Sequence, residues 1–267
     1  MVEIDTLCTD LYDEHASVDD LVVTLDDEAW DLPSPAKPWT IRDQISHLAY
    51  FDEQATLAIA EPARINESLT KIAKDIQAFM DAPLELGRAL PAKEVLTWWR
   101  GARTQMLRGF WTADHTARVP WFGPPMSLAS FISARIMETW AHGQDVADAL
   151  EIEREPTVRL KHVCHLGVRA RHNSYAANGR EFPGGDVKVE LAAPSGETWS
   201  WGEDPTNMVR GSAQDFCLVV TQRRHLDDTD LIVEGPLATE WLSIAQAFAG
   251  PPGDGRAPGQ FGGKAST

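Results

Sequence analysis

Residues 135–146 read RIMETWAHGQDV, and this stretch decides both the fold and the candidate site. Its apolar positions recur at helical spacing, so it predicts an α-helix with one buried face. Residues three or four positions apart lie on the same face of a helix. Glu138 and His142 are therefore one turn apart, with Arg135 one turn before them and Asp145 one turn after.

A row of polar groups at the edge of an apolar face is costly unless the groups are paired. A divalent metal would pair Glu138 and His142 at once, and His47, at the flank of the apolar stripe of an earlier helix, is the best candidate for a third ligand. Two imidazoles and one carboxylate suit zinc or a similar first-row ion and leave a position open for water or substrate. A solvated Glu–His pair is the common alternative for this spacing.

A second set of histidines competes with this interpretation. His162, His165 and His172 lie on one side of a later predicted helix. No carboxylate accompanies them at ligand spacing, so we expect a polar helix face there.

Length and composition limit the class of protein. The chain has 267 residues, of which 43% are hydrophobic, enough for a sizeable core. Its net charge of -16 argues against nucleic acid as a partner, and no apolar run approaches the roughly 20 residues of a membrane helix. The three cysteines, sparse and odd in number, favour a reducing compartment. We expect a cytoplasmic protein that acts on a small molecule, without nucleic-acid or membrane partners; the oligomeric state stays open.

The hydrophobic period divides the chain into two parts. Helical spacing dominates up to the breaker at residues 182–185, Phe-Pro-Gly-Gly, and a period of two follows over residues 187–191. That alternation and the turn after it predict a β-hairpin. We predict a helical bundle over residues 1–182, a small α/β domain over 183–250 and a disordered Gly/Pro-rich tail over 251–267.

Two arginines are candidates for binding an anionic group of the substrate. Arg223 begins the cationic run Arg223-Arg224-His225 at the end of a predicted helix, where positive charge also complements the helix dipole. Two interpretations are also open for Arg135: it could bind an anionic group of the substrate, or it could form an ion pair with Glu138.

Asp145 is the candidate catalytic residue. It could accept a hydrogen bond from His142 and so orient that ring, or carry a proton during the reaction. The alternative is a surface carboxylate on the turn after His142.

Two segments together resemble a known family. Residues 39–48 read WTIRDQISHL and residues 138–146 read ETWAHGQDV. Their order resembles the DinB-like metal-binding bundle and, more narrowly, is similar to the mycothiol-dependent maleylpyruvate isomerase family of actinobacteria. That family has Trp-Thr-x-x-Asp-x-x-x-His followed by Glu-x-x-x-His-x-x-Asp. The resemblance spans most of the chain and implies a mainly α fold, a DinB-like up-down bundle followed by a small α/β (SCP2-like) domain.

The resemblance also implies a chemistry. It places a divalent metal, usually zinc, on His47, Glu138 and His142, with a low-molecular-weight thiol such as mycothiol as cosubstrate for isomerisation or S-transfer on a small electrophile. Residues 215–225, DFCLVVTQRRH, look like a distinct branch, so maleylpyruvate itself is not carried over. Two other classes stay open: a thiol-independent metal enzyme, such as a hydrolase or a cyclising enzyme, and a non-catalytic protein that binds a metal or a ligand.

Overall fold

The computed structural model describes residues 3–72 and 76–261, and the chain divides into two compact units, Met1–Arg154 and Glu155–Thr267. Helices form most of the described residues, and the strands form two small sheets. This confirms the predicted mainly α class with a small sheet region. Within those described ranges, every helix lacks either the length or the apolar composition needed to cross a lipid bilayer.

The first unit is a helical bundle with one hairpin. Its elements are α1 (Ile4–Val22), α2 (Ile41–Ala60), α3 (Pro62–Ile72), α4 (Ile76–Arg88), α5 (Ala92–Thr112), β1 (Arg118–Trp121), β2 (Gly123–Ser127) and α6 (Leu128–Ala149). Helix α2 packs on α4, α5 and α6, and α1 packs on α5 and α6. The helices that carry the predicted ligands, α2 and α6, are therefore neighbours.

The beginning of α2 is fixed by its own sequence. Thr40 caps the helix: its side chain accepts a hydrogen bond from the Asp43 amide, and the Asp43 side chain accepts one from the Thr40 amide. Arg88 of α4 donates two hydrogen bonds to Asp43, at 2.9 and 2.8 Å. The neighbouring Gly87 allows this close approach, because a Cβ there would lie 1.8 Å from Ser46 Oγ. The first turn of α2, which precedes the predicted ligand His47, is thus fixed both by its own cap and by hydrogen bonds from α4.

Over its described residues, 155–261, the second unit combines four α-helices and a short 3-10 helix, Leu226–Asp228, with a four-stranded sheet. Its elements are α7 (Leu160–Arg169), α8 (Arg171–Ala177), β3 (Lys188–Ala192), β4 (Thr198–Trp201), β5 (Met208–Ser212), α9 (Ala213–Val220), β6 (Ile232–Glu234) and α10 (Pro236–Leu242). The strand order is β4-β3-β5-β6, with β3 antiparallel to β4 and parallel to β5. The β3–β4 pairing confirms the predicted hairpin.

The boundary between the units differs from the prediction. The breaker at residues 182–185 is a loop inside the second unit, and the chain divides earlier, after α6. Helix α7 belongs to the second unit because its apolar face packs on α9. Cys164 Sγ lies 3.4 Å from Cys217 Sγ, and a Cβ on Gly167 would lie 2.8 Å from Val220 Cγ2.

The predicted disordered tail, residues 251–267, is described up to residue 261, and residues 262–267 lie outside the described part. Within the described part, the Gly259 amide donates to Asp228 Oδ1 at 2.6 Å. At least this portion of the tail therefore has a defined contact with the second unit.

Candidate metal centre

The three predicted ligands lie together in the first unit. His47 comes from α2, and Glu138 and His142 come from successive turns of α6. One ligand atom from each residue lies within 4.8 Å of those of the other two. His142 Nε2 is 3.4 Å from Glu138 Oε2, and the ring centroids of His47 and His142 are 4.4 Å apart. Among the described residues, this is the one group of three potential ligands spaced to hold a metal ion.

Burial separates this site from a solvated surface pair. His47 is 6% exposed and His142 is 8% exposed, whereas Glu138 is half-buried. Two adjacent buried imidazoles beside a carboxylate are unlike the solvated Glu–His pair that the spacing also allowed. The arrangement instead suits a cation that all three side chains share.

A series of hydrogen bonds fixes the orientation of His142. Its Nδ1 lies 2.5 Å from Gln44 Oε1, Gln44 Nε2 donates to Ser34 Oγ at 2.9 Å, and Ser34 Oγ donates to the Trp39 carbonyl oxygen at 2.8 Å. Because a carbonyl oxygen only accepts, Ser34 donates to it and accepts from the Gln44 amide, which leaves Gln44 Oε1 toward His142. His142 therefore carries a proton on Nδ1, which leaves Nε2, on the side of Glu138, as the nitrogen that could bind a metal ion.

Aromatic rings lie against both imidazoles. The Trp39 ring stacks on His142, with centroids 5.9 Å apart and an interplanar angle of 12°, and lies 5.1 Å from His47. The Phe51 ring lies 4.4 Å from His47. Trp39 is held in place by the turn before α2, where the Ser34 amide donates to its carbonyl at 2.8 Å. These rings restrict the orientations of the imidazoles and reduce their contact with water.

Arg135 has a different partner from either of the two predicted. Its Nη2 donates to Asp52 Oδ1 of α2 at 2.7 Å, and both side chains are buried, at 3% and 0% exposed. A guanidinium enclosed in this way cannot bind an anionic substrate group, and its ion pair is with Asp52 rather than with Glu138. The two residues are 83 positions apart, so no local pattern reveals the pair.

This ion pair belongs to a buried polar group that joins four helices. Trp99 Nε1 of α5 donates to Asp52 Oδ2 at 3.2 Å, and His15 Nε2 of α1 lies 3.7 Å from the same oxygen. Burial raises the pKa of Asp52, while Arg135 acts in the opposite direction. Burial, then the charges of Arg103 and Arg135, holds the pKa of His15 well below its usual value. His15 is therefore neutral, which avoids a further buried positive charge.

Asp145 is fully buried, at 0% exposed, so the alternative of a surface carboxylate is wrong. Gln44, rather than Asp145, orients His142, because Gln44 Oε1 accepts the hydrogen bond from His142 Nδ1. The role of Asp145 as a proton carrier stays a prediction.

The other predicted residues lie in the second unit. Arg223 follows α9, and its Nη1 donates to the Thr221 carbonyl at the end of that helix, at 2.7 Å. This contact fits the helix-end alternative, and binding of a substrate anion by Arg223 stays a prediction. On the histidine face of α7, His165 Nδ1 accepts a hydrogen bond from Trp201 Nε1 at 3.3 Å, as a polar helix face would.

The residues that support the ligands were missed by sequence reasoning. Gln44 and His47 are three positions apart, so their shared face of α2 was a usable signal. Ser34 and Trp39 meet through a turn of the proline-rich segment before α2. Periodicity does not reveal such a contact.

Comparisons with known proteins include the part of the chain that carries the three candidate ligands. A family model described as the mycothiol maleylpyruvate isomerase N-terminal domain matches residues 11–147, which include all three candidate ligands. Two uncharacterised proteins of Mycobacterium tuberculosis, from strain CDC 1551 / Oshkosh and strain ATCC 25618 / H37Rv, are each 47% identical to the chain over 249 residues. The aligned region covers 92% of this chain and 96% of each relative.

Two crystal structures share the fold. The mycothiol-dependent maleylpyruvate isomerase superposes with a TM-score of 0.57, and a histidine-to-alanine variant of that enzyme superposes with a TM-score of 0.61. Each is 14% identical to this chain, and each match covers 88% of this chain and 97% of the solved one. At this identity the likeness shows a common fold, and the chemistry has to be argued from the residues of this chain.

Proposed function

From the premise that the chain belongs to the mycothiol maleylpyruvate isomerase N-terminal domain family, we propose that it is a divalent-metal enzyme that uses a low-molecular-weight thiol such as mycothiol. The proposed reaction is isomerisation or S-transfer on a small electrophilic substrate. The observation that carries the proposal is the convergence of His47, Glu138 and His142, whose ligand atoms lie within 4.8 Å of one another.

The donor set fits zinc better than a hard cation. Two imidazole nitrogens and one carboxylate oxygen match the ligands that zinc prefers, whereas calcium and magnesium favour oxygen ligands. Three protein ligands leave a fourth position for a thiol or for water. Gln44 supports this set, because it fixes the His142 tautomer that has a lone pair on Nε2.

The chemistry requires a thiolate near neutral pH. A bound zinc ion would supply it by lowering the pKa of a coordinated thiol. Addition of the thiolate to an electrophilic alkene forms a carbon–sulfur bond and breaks the carbon–carbon π bond. In an isomerisation, rotation about the remaining single bond precedes departure of the same thiolate, so nothing is consumed. In an S-transfer, the sulfur stays on the product and a proton completes the addition.

We keep Asp145 as the candidate proton carrier in this proposal. Asp145→Asn preserves the size of the side chain and removes its ability to exchange a proton. We expect slower turnover and an altered pH profile with the metal content unchanged. An unaltered pH profile would leave the carboxylate a structural role only.

Metal content tests the ligand assignment. We expect the purified protein to bind one zinc ion per chain and the His47→Ala and His142→Ala variants to lose it. His115→Ala is the matched control, because His115 is an exposed histidine of the same unit and its loss should not change the stoichiometry. Full zinc occupancy in both ligand variants would show that the ion binds elsewhere.

Thiol dependence is tested separately. Zinc-loaded protein is assayed with an electrophilic enone in the presence of mycothiol, of S-methylated mycothiol, or of neither. We expect turnover with the free thiol alone, and its loss in His142→Ala. Equal turnover in thiol-free buffer would refute the cosubstrate and identify a thiol-independent metal enzyme. Absence of any product with zinc bound would instead favour a binding protein.

A further inference from the structure

An aromatic surface adjoins the candidate metal centre. On α2, His47, Tyr50 and Phe51 are spaced by three and four positions, so they share one side of the helix. Two further rings come from elsewhere in the unit: Phe79 from α4, and Phe122 from the single residue between the paired Trp121 and Gly123 of the hairpin. We call Tyr50, Phe51, Phe79 and Phe122 the aromatic wall.

The rings of the aromatic wall form a continuous series that begins at His47. Phe51 lies 4.4 Å from His47, measured between ring centroids. Phe51 in turn lies 5.6 Å from Phe79 and 5.9 Å from Phe122, and Phe79 and Phe122 are 5.1 Å apart. Tyr50 extends the series, 5.8 Å from Phe79. The contacts are edge-to-face or tilted, as aromatic groups prefer.

Three of the four rings of the aromatic wall are more exposed than the core, whereas Phe51, which contacts His47, is 6% exposed. Tyr50, Phe79 and Phe122 are half-buried, whereas Phe110 and Phe131 of the same unit are 0% exposed. Aromatic surface left in contact with water beside a reactive centre is unfavourable until something apolar covers it.

The titratable groups near His47 bear on the charge that a bound substrate can carry. Arg135, the arginine predicted to hold an anionic substrate, is 3% exposed and bound to Asp52. Burial and the nearby Glu53 raise the pKa of Tyr50, so its phenol is neutral at physiological pH. The rings of the aromatic wall, which begin beside His47, therefore offer neutral aromatic surface.

We infer that the substrate carries an aromatic or similarly flat apolar group that packs on the aromatic wall while its electrophilic end faces the metal ligands. The inference rests on the proposed metal site and goes beyond it by naming the substrate class. The inferred substrate class differs from a small dicarboxylate. An enzyme that binds a small dicarboxylate needs a cation to pair with each carboxylate.

Binding of two hydroxamates to zinc-loaded protein tests the inference without requiring turnover. Benzohydroxamate and the monohydroxamate of succinic acid share the metal-binding group, and they differ in carrying a phenyl ring or a carboxylate. We expect calorimetry to show benzohydroxamate binding at least about tenfold more tightly, since covering about 55 Å² of ring at 25 cal/mol per Å² supplies roughly 1.4 kcal/mol.

Variants of the aromatic wall locate the preference. Phe79→Ala and Phe122→Ala should each remove most of the advantage of benzohydroxamate, and Phe122→Leu, which retains apolar volume, should remove part of it. Tyr12→Ala is the control, because Tyr12 is an exposed aromatic residue of α1, at 58%, and should change nothing. Circular dichroism checks that each variant is folded.

The outcomes separate this inference from the proposed function. Equal or tighter binding of the carboxylate compound, an unchanged preference in both alanine variants, or binding of neither compound would overturn the inference. A preference for the phenyl compound without any thiol-dependent turnover would refute the thiol cosubstrate and support the aromatic wall. Thiol-dependent turnover with a preference for the carboxylate would refute the wall alone.

Discussion

Replacing Gln44 by leucine should weaken metal binding without touching a metal ligand. Gln44 is 0% exposed, its Oε1 lies 2.5 Å from His142 Nδ1, and its Nε2 donates to Ser34 Oγ at 2.9 Å. Leucine fills nearly the same volume and offers neither group. His142 and Ser34 would each lose a partner in a place that water does not reach, at about 1–3 kcal/mol for each.

The effect on zinc follows from the tautomer of His142. Without an acceptor at Nδ1, the neutral imidazole gains by moving its proton to Nε2, where Glu138 Oε2 lies 3.4 Å away. A metal ion must then displace that proton from the nitrogen it needs. Loss of a hydrogen bond that orders a ligating histidine lowers metal affinity about 10- to 100-fold, which is roughly 1.4–2.8 kcal/mol. This loss of metal-binding free energy agrees with the cost of about 1–3 kcal/mol for one unsatisfied buried polar group.

Competition between the protein and a fluorescent zinc chelator at constant pH measures this loss. Gln144→Leu is the matched control, because Gln144 is a buried glutamine of α6, 5% exposed, whose amide donates to Asp148. Its zinc affinity should stay within about threefold of wild type, which is roughly 0.65 kcal/mol, because its amide contacts Asp148 rather than a candidate ligand. Gln44→Glu retains an acceptor for His142 and should restore most of the affinity. Wild-type affinity in Gln44→Leu, or an equal loss in Gln144→Leu, would refute the reasoning.

Three further predictions concern the scaffold around the site. Asp52→Asn leaves its arginine partner on α6 as a buried, uncompensated charge, so the free energy of unfolding in urea should fall by about 3–5 kcal/mol; a loss below 1 kcal/mol would contradict a buried ion pair. Gly87→Ala places a Cβ 1.8 Å from Ser46 Oγ and should destabilise the protein by about 1–3 kcal/mol. The control Gly101→Ala meets nothing within 4 Å and should stabilise it by up to about 1 kcal/mol; equal effects would contradict the close packing of α4 on α2. His15 has a lowered pKa in the folded state, so the unfolded state binds its proton first, and stability present above about pH 6.5 should be lost as the pH falls toward the folded value. His15→Gln should flatten this slope in urea titrations at several pH values, and an unchanged slope would assign it to other groups.

The fold class was accessible from the sequence because it depends on local spacing, and the three candidate ligands were accessible through local spacing combined with a family pattern. Glu138 and His142 are one turn apart in any α-helix, and the segment that carries His47 completes a pattern shared with a known family.

The partners of buried groups were not accessible, because they depend on which helices become neighbours. Arg135 pairs with Asp52 across 83 positions, and helical periodicity gives the face on which each lies but not its partner. The predicted domain boundary differs from the division into compact units for a related reason. The apolar stripe of α7 identifies a helix with a buried face, yet it does not say whether that face joins the bundle or α9.

Anomalous diffraction from crystals of the zinc-loaded protein, recorded on both sides of the zinc absorption edge, tests the central claim most directly. We predict one peak in the first unit, with a nitrogen of His47, a carboxylate oxygen of Glu138 and His142 Nε2 each at about 2.0–2.2 Å. A peak bound by other residues, or none at these three side chains under saturating zinc, would contradict the claim that they form a metal centre.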